Sequence, residues 1–205
     1  MSALIYLASD TPLEKLESPH NRTMSVREAL ALGRKLPDFL NPDTINIDDP
    51  DMLLWSDSYA ENPDTGILED CGFDDDISIL PMDGKSEDIL TEKKYCASLQ
   101  WPAYTAGRAE RLITYIRDHL AIATQIELWH IWMGNSYPPP QVQKTFIRME
   151  DLDAGAVRKL YECSVGELEP VAGRVRIEKE WNTDSEELER DVHYCYVIDR
   201  SGNFF

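Results

Sequence analysis

The order of strand and helix patterns in the second half of the chain constrains the fold more than any other sequence feature. Residues 95–101 alternate between large or apolar and small or polar side chains, which is typical of a half-buried strand. Residues 105–120 place apolar side chains at i, i+3, i+4, i+7 and i+11, and this spacing predicts an amphipathic helix. Runs rich in aromatic and β-branched residues at 125–133 and 142–149 predict two further strands.

A second helix and two more strands are expected after these elements. Asp153 is a predicted N-cap, and Leu152 can pack against Val157 in the first turn of the helix that follows. Residues 175–181 and 192–198 both alternate at period two, and we interpret them as a closing hairpin. The complete order is therefore strand, helix, strand, strand, helix, strand.

This order predicts an α+β fold whose C-terminal part is a split-βαβ (ferredoxin-like) antiparallel sheet with two helices. In that layout the strands at 125–133 and 192–198 lie at the two edges, and the strands at 95–101 and 142–149 lie between them. One alternative stays open, because residues 173–181 could supply the final strand and leave 192–198 as a fifth strand.

Acidic residues are concentrated in one segment of the chain. The sequence has 38 Asp and Glu against 20 Lys and Arg, and residues 38–88 contain sixteen of the acids and a single base. Apolar side chains lie between the prolines and glycines of this segment, whereas acidic tails are depleted in such residues. We therefore expect loops joined to short strands at 52–55 and 77–80, and not a disordered tail.

The first part of the chain is predicted to contain a strand, a short helix and this acidic segment. An apolar run at the beginning predicts the strand, and Ser25 with Glu28 forms a capping box that predicts the helix. We therefore divide the chain into a strand-rich and loop-rich N-terminal part, residues 1–92, and an α+β domain, residues 93–205. The two parts can pack as one unit.

Composition argues against several classes of function. A net charge of −18 opposes binding to nucleic acid and to anionic membrane surfaces, since both depend on Lys and Arg. No apolar run approaches the ~18 residues that could span a bilayer, and the first residues contain no basic leader. The four cysteines are far apart without a CxxC pair, which fits reduced thiols. We expect a cytoplasmic protein that uses neither a metal nor a cofactor.

Two groups of residues are candidates for binding. The first group consists of clustered carboxylates that could contact a basic protein partner, namely Asp70, Asp74, Asp75, Asp76 and Asp83. The second group would share an open sheet face if the helices cover the face of Trp129 and Ile131. Its members are Cys96, His130, Trp132, His193 and Cys195. In the predicted layout His130 and His193 lie on edge strands about 14 Å apart, which is too far to share a zinc ion.

No catalytic motif accompanies these candidates. The sequence contains neither GxSxG nor HExxH nor a phosphate-binding loop, and the residues after Asp74 do not match a calcium loop. Two hypotheses follow. The first is a non-catalytic soluble interaction protein, such as an inhibitor, an immunity-type protein or a regulatory subunit, whose acidic region binds a basic protein partner. The second is a small hydrolase or transferase that uses a Cys/His or metal site on the open sheet face.

Overall fold

The computed structural model describes residues 3–36, 40–41, 44–84, 89–132, 141–161, 174–180 and 192–200. Across these ranges the protein is a mixed α+β fold with a mostly antiparallel sheet and three α-helices. The strands are β1 (Ala3–Ser9), β2 (Asn21–Met24), β3 (Leu53–Ser56), β4 (Tyr59–Glu61), β5 (Leu68–Asp70), β6 (Ser78–Pro81), β7 (Tyr95–Gln100), β8 (Gln125–Trp132), β9 (Gln141–Arg148), β10 (Arg174–Glu180) and β11 (Val192–Asp199). The helices are α1 (Val26–Ala31), α2 (Ala106–His119) and α3 (Ala154–Tyr161). None of these helices is long and apolar enough to cross a membrane.

The chain forms two compact units. One, which we call the sheet unit, consists of Met1–Glu17 together with Ile77–Phe205, and the other, the acidic unit, is Ser18–Asp76. The boundary expected at residue 92 falls inside the sheet unit. The reason is strand pairing, because β6 and β1 both precede that position and both pair with β7.

Seven strands of the sheet unit form one sheet in the order β10-β9-β11-β8-β1-β7-β6. Every neighbouring pair is antiparallel except β9 with β11, which is parallel. The order differs from the ferredoxin-like prediction, because β8 and β11 are adjacent in the middle of the sheet and not at its two edges. The predicted closing hairpin is also wrong, because β9 lies between β10 and β11. The run at 173–181 thus contains an outer strand, and the run at 192–198 an internal one.

The predicted first strand, β1, lies inside this sheet. Ile5 pairs with Leu99 of β7 on one side and with His130 of β8 on the other. Since β7 and β8 are both antiparallel to β1, they run parallel to each other, and α2 connects them across the intervening strand. The sequence predicts β1 as a strand but does not predict that it lies between β7 and β8. In this position β1 becomes the neighbour of both β7 and β8.

Helix α2 covers one face of the sheet, and its predicted limits are confirmed to within one residue. Thr105 caps the helix, because its Oγ1 accepts a hydrogen bond from the Arg108 amide (3.1 Å). The predicted apolar stripe is buried throughout, namely Ala109, Leu112, Ile113, Ile116 and Leu120. The helical pattern alone places the Arg108 side chain toward solvent, but it is fully buried and its Nη1 donates to the Ala103 carbonyl (2.9 Å). This hydrogen bond therefore offsets part of the free-energy cost of burying the Arg108 guanidinium at the start of the helix.

Helix α3 packs into the same core, and its predicted N-cap is confirmed. Asp153 Oδ1 accepts a hydrogen bond from the Ala156 amide at 2.7 Å. Leu152, Val157 and Leu160 are buried together with the α2 stripe. The cap and the apolar contacts fix where the helix begins and which side of it faces the sheet.

The two helices cover the face of β8 that carries Ile126 and Leu128, and not the face of Trp129 and Ile131. The open-face candidates were grouped on the assumption that the helices cover the face of Trp129 and Ile131, and this assumption is wrong. The face that carries Trp129 and Ile131, which we call the second face, has an apolar cluster of its own: Tyr6, Ala8, Ile89, Cys96, Trp129, Ile131, Val142, Cys195 and Val197. Period-two patterns identify the two faces correctly, but they do not say which of them receives the helices.

The acidic unit contains α1 and two pairs of strands, β2 with β3 and β4 with β5. The predicted capping box is present, because the Glu28 amide donates to Ser25 Oγ (3.2 Å) and the Ser25 amide donates to Glu28 Oε2 (2.8 Å). Gly33 follows with φ +69°, a conformation that favours glycine. The small core of this unit consists of Met24, Val26, Ala29 and Leu53. The strands expected at 52–55 and 77–80 are present as β3 and β6.

Candidate functional site

A buried ion pair lies on the second face of the sheet. Lys144 on β9 reaches across β11 to Glu127 on β8, and its Nζ is 3.3 Å from Glu127 Oε1. Glu127 is 4% exposed and Lys144 is 8% exposed. Thr91 Oγ1 (2.5 Å) and the Trp129 indole Nε1 (2.9 Å) both donate to Glu127 Oε2. The carboxylate therefore accepts hydrogen bonds from three donors. These contacts offset the free-energy cost of burying its charge.

This ion pair lines a cavity of about 850 Å³ within the sheet unit. Apolar side chains form part of its wall, which is more polar than apolar, and they include Ile89, Val142, Phe146 and Val197. Lys93 and Asp10 add a second ion pair, with 2.8 Å between Nζ and Oδ2, and exposed Glu92 lines the cavity as well. Small-molecule sites in proteins usually enclose roughly 300–1,000 Å³ and combine apolar walls with a few polar groups. The cavity has both properties.

The candidates predicted for the open sheet face do not all share one face. Cys96, His193 and Cys195 are buried on the second face, whereas fully buried His130 lies on the helix-covered face opposite Tyr194. Trp132 ends β8, where it pairs with Ala3. Two strands separate the strands of Cys96 and Cys195, so these cysteines are about 14 Å apart and cannot share a metal ion. Among the described residues, no three or more His, Cys, Asp or Glu side chains are grouped so that they could hold a metal ion.

Burial shifts the titration of the His130 imidazole strongly. It lowers the pKa of His130 to about 4. The His193 ring lowers this pKa as well, because β11 lies next to β8 and not at the opposite edge of the sheet, as the predicted separation of about 14 Å had assumed. His119, at the end of α2, has a pKa that burial lowers in the same direction, while Glu14 opposes this shift. His130 is therefore neutral at physiological pH and is part of the packed core of the sheet unit.

We expect the sheet unit to lose stability as the pH falls from about 6.5 to about 4. Because the folded pKa of His130 lies below its ordinary value of about 6.5, the unfolded chain binds the proton first. Stability that is fully present above pH ~6.5 is lost as the pH falls, by up to about 1.4 kcal/mol per pH unit. Urea unfolding at several pH values in this range measures the slope. The variant His130→Gln should show a flatter slope, and identical slopes in the two proteins would contradict the assignment.

The acidic candidates occupy different environments. Asp74 is exposed, whereas Asp75 accepts a hydrogen bond from His20 Nε2 (2.7 Å) and Asp76 is 3% exposed and accepts from Ser18 Oγ (2.5 Å). Asp70 Oδ1 accepts from the Gly72 amide (2.9 Å) in the turn after β5. Asp83 is exposed, and it belongs to the sheet unit. The three consecutive aspartates are thus not equivalent, and Asp76 is not placed to contact a partner.

Replacing Asp76 with Ala should destabilise the acidic unit. The change removes the buried carboxylate that accepts from the Ser18 hydroxyl, and breaking a buried hydrogen bond to a charged group costs about 1–3 kcal/mol. Chemical denaturation of the variant and of Asp74→Ala, the exposed neighbour, provides a matched comparison. A loss of stability for Asp74→Ala as large as that for Asp76→Ala would show that charge, and not the buried hydrogen bond, is responsible.

The strand pair β4–β5 presents apolar and acidic side chains together on one exposed surface. Tyr59 lies opposite Asp70 and Glu61 lies opposite Leu68, so all four residues project from the same side of the pair. We call these four residues the hairpin face. Leu68 is 65% exposed, and Tyr59 and the adjacent Ile67 are also exposed. The acidic unit thus leaves large apolar side chains in water next to carboxylates.

The arginines of the acidic unit are engaged within it. Arg27 binds Asp48 through Nε and Nη2, and this guanidinium lowers the pKa of the Asp48 carboxyl. Arg34 contacts Asp57 (3.2 Å) and lies 4.5 Å above the ring of Trp55. Arg22 approaches the same Asp57 at 3.6 Å. The unit has fourteen Asp and Glu against four Lys and Arg, so most of its negative charge is not compensated by its own bases.

Sequence reasoning did not single out Glu127 and Lys144. A charged residue between Ile126 and Leu128, inside an otherwise apolar strand, is a signal that Glu127 is buried and paired. Its partner could not be deduced, because in the structure Lys144 reaches Glu127 across β11, which lies between β8 and β9. The predicted strand order places these strands differently.

No protein-family model matches the chain, and no curated protein or solved structure is significantly similar to it. The class of protein that the structure defines is an α+β protein with a seven-stranded mixed sheet. Its function is therefore inferred from its own surfaces.

Proposed function

We propose that the protein is a non-catalytic interaction protein and that its acidic unit binds a basic protein partner. The observation that carries this proposal is the hairpin face, on which exposed Tyr59 and Leu68 alternate with the carboxylates of Glu61 and Asp70. Exposed apolar side chains rimmed by charge are typical of protein interfaces. Carboxylates at the rim favour a partner that presents Lys and Arg there.

The packing of the strand pair supports this proposal. A two-stranded pair is at best marginally stable when it is not packed against other elements. Every residue of β4 is exposed, and so are Leu68 and Glu69 of β5. Contact with a partner would bury apolar side chains that the acidic unit itself leaves in water. Each Å² of apolar surface removed from solvent contributes about 25 cal/mol of favourable binding free energy.

The uncompensated charge supports a cationic partner. Residues 38–76 contain thirteen Asp and Glu and no Lys or Arg. Such a surface attracts a cationic protein over a distance set by the Debye length, about 8 Å at physiological salt. Association should therefore be fast at low salt and slower at high salt, whereas the apolar contacts should mainly set the dissociation rate.

An affinity capture with matched variants tests the role of the hairpin face. Tagged wild-type protein, Leu68→Ser and Ile122→Ser are used as baits in the same extract, because Leu68 and Ile122 are 65% and 66% exposed and lie in different units. Quantitative mass spectrometry then compares the retained proteins. A basic protein kept by wild type and Ile122→Ser but lost by Leu68→Ser supports the proposal. Equal retention by all three baits refutes the hairpin face as the contact.

A second comparison tests the contribution of charge to association. Glu61→Gln, Asp64→Asn and Asp74→Asn together remove three exposed charges of the acidic unit whose side chains make no hydrogen bond to a described residue. The control removes three exposed charges of the sheet unit, namely Glu110→Gln, Asp118→Asn and Asp151→Asn. The first triple variant should slow association with the captured protein and weaken its salt dependence. An equal effect of the control would mean that only net charge matters.

A further inference from the structure

The carboxylate of Glu127 has capacity for one more donor. A carboxylate offers about four acceptor positions on its two oxygens. Thr91 and Trp129 use two positions on Oε2, and Lys144 uses one on Oε1. One acceptor position on Oε1 therefore remains within the cavity wall.

Acidic side chains outnumber basic ones among the described residues that line the cavity. Lys144 is matched by Glu127, and Lys93 is matched by Asp10. Glu92 also lines the cavity, is exposed, and has no ionic or hydrogen-bond partner among the described residues. Among the described residues that line the cavity, three carboxylates therefore accompany two ammonium groups.

Phe146 and aliphatic side chains complete the described lining, and Trp129 is buried next to the Lys144 ammonium. The Lys144 ammonium lies 5.3 Å from the centre of the Trp129 ring and 3.3 Å from the Glu127 carboxylate. An aromatic ring and a carboxylate on the second face therefore stabilise an ammonium group together. Phe146, Val142, Val197 and Ile89 provide apolar contacts next to these charges. A ligand that fits these surroundings has a cationic donor at one end and an apolar body at the other.

We propose that this cavity binds a small organic cation, a primary amine attached to an apolar body. The carboxylate of Glu92 balances the charge of its ammonium group, and the remaining acceptor position of Glu127 takes a hydrogen bond from that group. The apolar part of the wall accommodates its body. The site is distinct from the hairpin face, because the described residues that line it all belong to the sheet unit.

Binding of three matched probes tests this proposal. 2-Phenylethylamine is a cation at neutral pH, 2-phenylethanol is its neutral analogue, and phenylacetate is an anion of similar size. Each is titrated into the full-length protein by calorimetry and by NMR, with the indole N–H of Trp129 as reporter because it donates to Glu127. The amine should bind most tightly and should shift the Trp129 signal. Phenylacetate binding as tightly as the amine, or no binding of the amine at millimolar concentration, would overturn the proposal.

Two charge variants separate a specific site from general attraction to an acidic protein. Glu92→Gln should weaken amine binding about fivefold, since an exposed charge contributes up to about 1 kcal/mol. Glu110→Gln removes an exposed carboxylate from α2, which does not line the cavity, and should leave the affinity unchanged. Unchanged affinity in Glu92→Gln, or an equal loss in both variants, would contradict the assignment. Both residues are exposed, so both variants should fold.

Discussion

Replacing Lys144 with methionine is expected to lower the free energy of unfolding by about 3–5 kcal/mol. The change keeps an unbranched side chain of similar length, so that packing against the sheet is largely preserved. It leaves the Glu127 carboxylate, which is 4% exposed, without its ammonium partner at 3.3 Å. An uncompensated buried charge is the costly product of breaking such a pair.

The double variant Lys144→Met with Glu127→Gln distinguishes charge from packing. A glutamine amide oxygen still accepts from Thr91 and Trp129 but carries no charge, so most of the lost stability should return. Guanidinium unfolding of the wild type, the single variant and the double variant measures this recovery. A single variant that loses less than about 1 kcal/mol would mean that water reaches Glu127 and that the pair is not buried.

Replacing Ile113 with alanine is expected to cost about 2–5 kcal/mol. Ile113 is 2% exposed in α2 and belongs to the core between this helix and the sheet, so its truncation leaves a cavity that the surrounding elements can fill only in part. The control is Glu110→Ala, an exposed position of the same helix, which should change stability by less than about 0.5 kcal/mol. A similar small effect of both substitutions would contradict the packing of α2.

Local signals in the sequence predicted most of the elements, because those signals depend on neighbouring residues. The caps at Ser25 and Asp153 and the apolar stripe of α2 involve residues within a few turns of each other, and all three are found in the structure. Period-two alternation likewise predicted β8 and β11 as strands. It also grouped Cys96, His193 and Cys195 correctly on one face.

The arrangement of the sheet was not predictable in the same way. A period-two pattern does not indicate which strands are neighbours in the sheet. The position of β1 between β7 and β8, and that of β11 between β8 and β9, depend on pairing between distant parts of the chain. His130 was consequently grouped with the wrong face, and the Glu127–Lys144 pair was missed. The candidate cavity was not predictable for the same reason, since its described lining residues come from five separate stretches of sequence.

The position of β1 in the sheet also determines when the sheet can form during synthesis. Ile5 pairs with Leu99 and His130, which are translated 94 and 125 residues later. Until then the nascent chain carries an apolar strand with both edges unpaired, a state that favours aggregation or capture by a chaperone. Residues 18–76 emerge next and can make their own local contacts first. Assembly of the sheet must then close these long loops, which slows folding relative to a fold built from contacts between neighbours.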